Sequence, residues 1–336
     1  MYSTLERIDL GHEESASMLD RQIEGARAWL ARDVDKESCL IRLDDAAFDE
    51  LMQMAERMNA QPLPVLLRGP EQFEVPALRD FMAHARELLD AMPGIAVIDR
   101  LPMDVIGEQS AIAIFWTLGK LIGRPVAQKW DGTMLYDVVD RGEPYSYGVR
   151  GSYTNVELAF HTDNAFAVAP PEYVALLCIR PATRGGVSRF CSIHAIHNRM
   201  LADHPQQLER LYECVLWDRQ AEHAPGAPKV AWAPVFRYDD GELSARLNTS
   251  LIRKGYEVAG VPMDGRIVDA LVALENVARD PELWFELPIE RGQLQYLNNR
   301  SIAHYRSEFT DDDDAARKRH LVRTWHRERG LPTYDG

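Results

Sequence analysis

The spacing of apolar residues along the chain changes near residue 126. Before that point it is helical over 14–32, 45–58 and 77–91. In the last of these, Leu78, Phe81, Met82, Ala85, Leu88 and Leu89 fall on one face. "EQSAIAIFWTLGKLIGRP" over 108–125 reads as another helix, ended by Gly123 and Pro125. "GIAVIDRLP" over 94–102 is a short β-rich run. Beyond 126, strand candidates follow closely: "GTMLYDVVD", "VELAFHTD", "EYVALLCIRP", "GVSRFCSI", "FELPIERGQLQYLNN", "SIAHYRSEF" and "RHLVRTWHR". Turn residues separate most of them, as in an all-β sandwich or closed jelly roll. "PVFRYDDGELSARLN" predicts a hairpin turning at Asp240-Gly241. Helical inserts are expected at about 194–212 and about 262–279. No repeat, linker or clean boundary divides the chain. The expectation is one domain over 1–336: a helical N-terminal region, 1–93, packed on a core spanning 94–330.

Composition narrows the partners. Hydrophobic residues at 46% and charged residues at 27% describe an ordinary soluble protein. A formal charge of −14 argues against nucleic-acid or anionic-membrane partners, which need basic surfaces. No apolar run approaches the roughly 18–20 residues of a membrane span. The acidic start lacks a signal pattern, so a cytoplasmic location is expected, with a small-molecule partner and room for a homo-oligomer. Cys39, Cys178, Cys191 and Cys214 form no C-x-x-C pair and suggest neither a zinc site nor a disulfide framework. Cys178 and Cys191, in strand-like runs, read as small core residues.

The stretch "VELAFHTDNAF", 156–166, is where chemistry enters. His161 and Asp163, two apart on an extended strand, point to the same face. Ionised groups facing a core are costly unless paired or bound to metal. Three His-x-acid pairs occur (His12/Glu14, His161/Asp163, His326/Glu328), and only the second sits in an apolar run beside a loop. A buried structural His–Asp pair is the competing reading. "YLNNRSIAHYRSEF" supplies His304 in another strand-like run. Two facing strands can then set His, Asp and His on one face of an octahedron, leaving three open positions suited to iron(II). Zinc more often takes a closed tetrahedral site, or three ligands and water.

An anionic co-substrate needs a cationic anchor. "RKRHLVRTWHR" offers Arg319 and Arg323, on one strand face about 13 Å apart at roughly 3.3 Å per residue. Guanidinium binds carboxylate in a two-pronged geometry. Ser188, after Gly185-Gly186-Val187, can add a hydroxyl contact. The plainer reading makes both arginines surface partners of "DDDD" at 311–314. The Gly- and Tyr-rich segment 141–155 (Gly142, Gly148, Gly151; Tyr145, Tyr147, Tyr153) reads as a lid or a surface connection, with 218–231 as the other candidate lid. His194 and His197 read as local polar residues at a helix start, and His320 and His326 as facing away from the arginines. Trp116, Trp217, Trp232 and Trp284 read as core.

Together "HTD" at 161–163, "GG-x-S" at 185–188, "NNR-x-x-x-H-x-R" at 298–306 and "R-x-x-x-R" at 319–323 resemble a known pattern. It is that of the taurine dioxygenase/TfdA-like superfamily of iron(II)- and 2-oxoglutarate-dependent oxygenases. The likeness covers about 95–330, and "ELAFHTDNAF…PPEYVALLCIRPA" looks most like the branch related to clavaminate synthase, although Asp163 stands where that branch commonly has Glu. The resemblance implies a mainly β fold with flanking helices, built on a double-stranded β-helix. It implies iron on His161, Asp163 and His304, and the distal carboxylate of 2-oxoglutarate on Arg319 and Ser188. Arg323 is expected nearer the metal, on the C1 carboxylate or on a substrate carboxylate. With O2, it implies a dioxygenase that oxidises a C–H bond of a small, amino-acid-like molecule and releases succinate and CO2. Glu157 and Asn164 are candidates for meeting a substrate amine or hydroxyl. The alternatives are a zinc-type hydrolase or isomerase and a non-catalytic small-molecule-binding barrel.

Overall fold

Residues 5–11, 17–144 and 148–335 are described by the structure, a computed structural model. Two sheets carry the fold. Their strands, in chain order, are β1 (Leu40–Arg42), β2 (Ile95–Asp99), β3 (Arg124–Val126), β4 (Tyr136–Val138), β5 (Leu158–His161), β6 (Tyr173–Arg180), β7 (Ser188–Ser192), β8 (Trp284–Leu287), β9 (Leu294–Asn298), β10 (Ile302–Arg306) and β11 (His320–Arg327). The larger sheet runs β1-β2-β9-β6-β11-β3, with β4 also on β11; the smaller runs β8-β7-β10-β5. All these pairings are antiparallel except β1 with β2.

The period-two pattern of the larger sheet sorts its two faces. Ile95, Val97 and Leu297 pack in one cluster with Phe190, Phe285 and Ile302 of the smaller sheet. Their neighbours Ala96, Ile98 and Tyr296 face the opposite way, into a helical layer. That layer is α1 (Asp45–Ala60), α2 (Pro76–Asp90) and α4 (Glu108–Ile122), with the short α3 (Met103–Ile106) between α2 and α4. Asp44 caps α1 by accepting from the Ala47 N–H, and Pro76 opens α2. Leu78, Met82, Ala85 and Leu89 form the buried stripe of α2. The fold is thus a mainly β jelly roll with helices, and the smaller sheet carries the two histidines of interest.

Three local expectations change. No α-helix forms over the described part of 14–32, which holds only short 3-10 turns at Ala26–Ala28 and Ala31–Asp33. Trp29 is buried there, so tertiary packing of a few apolar residues mimicked helical spacing. The insert near 194–212 is two helices, α5 (Ile193–Asp203) and α6 (Pro205–Tyr212), because proline starts a new helix at 205. A further helix, α7 (Thr249–Ala259), precedes α8 (Gly265–Ala278). Its signals were Asn248 at the N-cap and Gly260 in the left-handed conformation after its end. The hairpin forms as Phe236–Asp239 and Glu242–Ala245, with positive φ at both Asp240 and Gly241. No helix is long and apolar enough to cross a membrane among the described residues.

Candidate metal centre and co-substrate pocket

Strand β5 stops at His161, so Asp163 lies in the turn that follows rather than on the strand. Asn299 shapes that turn. Its Oδ1 accepts from the Asp163 N–H at 2.8 Å, and its Nδ2 donates to the Asp163 carbonyl at 3.1 Å and to Pro171 at 2.9 Å. Across the sheet, His304 is the register partner of His161, and the two rings lie 4.2 Å apart. Asp163 Oδ1 then stands 3.6 Å from His161 Nε2 and 3.5 Å from His304 Nε2. One donor atom from each residue falls within 4.8 Å of the other two. His161 Nδ1 is 2.8 Å from the Ala159 carbonyl, which places the proton there and leaves the Nε2 lone pair for the cluster.

The other carboxylate oxygen is held from behind. Trp325 Nε1 donates to Asp163 Oδ2 at 2.7 Å and Arg323 Nη1 at 3.0 Å; Arg323 Nε donates to Gln128 Oε1 at 2.8 Å. Burial pushes the Asp163 carboxyl up, but Arg323 and the bonds to His161 and His304 outweigh it. The group sits well below the usual carboxylate range. Burial, reinforced by His161 and Arg323 against the pull of Asp163, pushes His304 down to about 4. A neutral imidazole beside an ionised carboxylate is the protonation that a divalent cation requires. Two imidazoles and one carboxylate on one face suit iron(II) with positions left open.

A second group of residues lies further along the same strands. Ser188, at the start of β7, is the register partner of Arg306 on β10. Gly186 approaches Arg319 so closely that a Cβ there would stand 3.1 Å from its Nε, and Gly185 would place one 2.2 Å from the Glu308 carbonyl. With φ of +67 and +77, both positions favour glycine. The Arg319 side chain is buried and its Nη1 has no partner. Burial pushes its pKa down to about 10, so it remains a cation at neutral pH. A buried cation lacking a counter-charge is costly, and this donor fits the distal carboxylate of a dicarboxylate. Arg319 immediately precedes β11, where the pairing with β6 slips between His320 and Leu321 through an extra residue on β6.

A cavity of about 220 Å³ opens beside the donor cluster, lined by Arg150, Ser152, Asn164, Asn248 and Trp325 among others. Glu157 reaches its rim, about half exposed and 3.7 Å from Arg279. Asn164 is buried, with φ of 57, and accepts from the Tyr334 hydroxyl at 2.9 Å. Tyr145 and Tyr147 lie outside the described residues. Tyr153 stacks on Tyr136 at 5.1 Å. A larger cleft of about 990 Å³ lies behind the ligand turn, and none of the three donor residues lines it.

Trp325, Asn299 and Gln128 orient the site's side chains and are not singled out by the sequence. Two carry a signal. Trp325 is two beyond Arg323, and Asn299 is the second residue of "NNR". Gln128 gave no signal, since only the fold brings it to Arg323.

A family profile described as "Taurine catabolism dioxygenase TauD, TfdA family" matches residues 59–325. An FR-33289 synthase from Streptomyces rubellomurinus is 27% identical over 319 residues, covering 92% of this chain and 91% of that protein. Among solved structures, an asparagine oxygenase in complex with Fe(II), 2S,3S-3-hydroxyasparagine and succinate aligns with a TM-score of 0.65 at 20% identity. It covers 88% of this chain and 94% of the other. The non-heme iron oxygenase OrfP in complex with Fe and alpha-ketoglutaric acid aligns with a TM-score of 0.61 at 18% identity, over 86% and 94%. At these identities the structural likeness is one of fold. The profile match begins within α1 and runs into the strand that carries Arg323 and Trp325, and the chain belongs to the TauD/TfdA dioxygenase family.

Proposed function

We propose that the protein is an iron(II)- and 2-oxoglutarate-dependent oxygenase acting on a small, amino-acid-like molecule. The observation that carries this reading is the convergence of His161 Nε2, Asp163 Oδ1 and His304 Nε2 on one point. Iron with 2-oxoglutarate and O2 supplies the oxidising power when bound. The chain's own residues place the reactants. His161, Asp163 and His304 hold the metal, while Trp325 and Arg323 fix the rotamer of Asp163 and keep it ionised. Arg319 and Ser188 take the distal carboxylate. Arg323, beside the metal position, is within reach of the C1 carboxylate or of a substrate carboxylate. Asn164 and Glu157 line the side where substrate enters, and the cavity is smaller than the roughly 300–1,000 Å³ typical of drug-sized ligands. The fold's likeness to an enzyme crystallised with hydroxyasparagine supports an amino-acid-like substrate.

We expect purified protein to take one ferrous ion per chain and, without oxygen, to develop a visible charge-transfer band on adding 2-oxoglutarate. Alanine at His161 or His304 should abolish the band and leave the chain folded. Zinc held in preference to iron, with activity present, would overturn the reading. A screen for succinate release across amino acids, small peptides and sulfonates identifies the substrate.

A further inference from the structure

Arg306 stands out among the buried side chains. It is two residues beyond His304 on β10, so both project from the same face. It is buried, and its Nη2 donates to the carbonyls of Thr154, at 2.8 Å, and of Val156. Its Nε and Nη1 have no partner. No carboxylate comes within salt-bridge distance of either Arg306 or Arg319 among the described residues. The two guanidiniums share one neighbour: each Cζ is 4.9 Å from the ring centroid of Phe309. Ser188 faces Arg306 across the β7–β10 pair. Two unneutralised cations therefore share one aromatic neighbour, and one of them faces a hydroxyl. The unpartnered atoms of both arginines are donors, so the group that completes them is an oxygen-rich anion.

We propose that Arg306 is a second cationic contact for the distal carboxylate of 2-oxoglutarate, and that it links co-substrate binding to the wall of the substrate cavity. The proposal rests on the function proposed above. The link is its hold on the Thr154 and Val156 carbonyls, because Arg150, Gly151, Ser152 and Val156 all line that cavity. Repulsion between the unneutralised guanidiniums works against a fixed Arg306 side chain while the pocket is empty. A carboxylate between them removes the repulsion and fixes Arg306, and with it the segment 148–157. The co-substrate then shapes the substrate cavity before substrate enters, and Arg306 acts as both a binding and a positioning residue.

The test compares 2-oxoglutarate with 2-oxopentanoate, a keto acid of the same length without the distal carboxylate. Both are titrated anaerobically into the iron(II) protein, for wild type, Arg306→Gln and Arg319→Gln. Arg306→Gln should weaken 2-oxoglutarate at least about tenfold and leave 2-oxopentanoate within about twofold. Amide exchange over 148–157 should slow when 2-oxoglutarate binds wild type, and should not slow in the variant. Equal weakening of both ligands, or no weakening of either, overturns the proposal. Arg306→Lys keeps the charge, cannot make both sets of bonds, and carries the same comparison if the glutamine variant does not fold. If wild type binds no 2-oxoglutarate, the proposed function itself fails. If binding depends on Arg319 and is indifferent to Arg306, this inference fails alone.

Discussion

At the scale of single residues, the site works by giving each polar atom one task. Asp163 offers Oδ1 to the metal position while Trp325 and Arg323 occupy Oδ2. Trp325→Phe keeps the ring and removes one N–H, so it should lower iron affinity roughly 10- to 100-fold, the range for lost outer-shell partners. A competition titration against a chelator measures this, and unchanged affinity would mean that Arg323 alone orients the carboxylate. Arg319→Gln removes the buried cation proposed to pair with the co-substrate carboxylate. It should cost on the order of 2–4 kcal/mol, roughly 30- to 1000-fold in 2-oxoglutarate affinity. A co-substrate requirement within about threefold of wild type would show that another arginine is the main anchor.

At the scale of elements, the two candidate lids prove to be joined. Arg150, in the described part of 141–155, pairs with Glu222 of the 218–231 segment at 2.8 Å, with both side chains largely buried. Arg150 also donates to the Gln128 carbonyl, and Glu222 accepts from the Trp130 N–H. Three segments thus meet at one ion pair, and two of them line the cavity. Removing one partner strands the other as a buried charge, at a cost of about 3–5 kcal/mol. Glu222→Ala should therefore speed amide exchange over 148–156 and 218–231 together. It should also lower the product formed per succinate, because the pocket then admits water. Faster exchange in only one segment would show that they open independently.

At the scale of the whole molecule, buried histidines tie stability to pH. Burial pushes His194, His197 and His326 down to about 4 each. His194 and His197 are buried in the first turns of α5, and His326 packs against Gly119 and Gly123 of the helical layer. In the unfolded chain each takes a proton near pH 6.5, which the folded state refuses until about pH 4. Stability should therefore be level above about pH 6.5 and fall as the pH drops toward 4. The slope reaches up to about 4 kcal/mol per pH unit if all three act together. The urea midpoint at pH 7.5 and pH 5.0 tests the sign, and an equal or higher midpoint at the lower pH would contradict it.

The sequence alone determined what depends on local spacing: α1, α2 and α4 from helical apolar stripes, the strands from period-two runs, and the hairpin from Asp240-Gly241. The residue types of the donor set and of the Arg319 pocket were legible too, because a metal and a dicarboxylate each demand particular chemistry wherever the chain folds. Local spacing misleads over 14–32, where packing of isolated apolar residues mimics a helix, and α7 forms outside the expected inserts. Only the tertiary structure decided that Asp163 is aimed by a turn pinned by Asn299, and that Gln128 reaches Arg323. The same holds for the joining of two distant loops by Arg150 and Glu222. These are contacts between residues far apart in sequence, and they form only because strand register and sheet stacking fix where each side chain points.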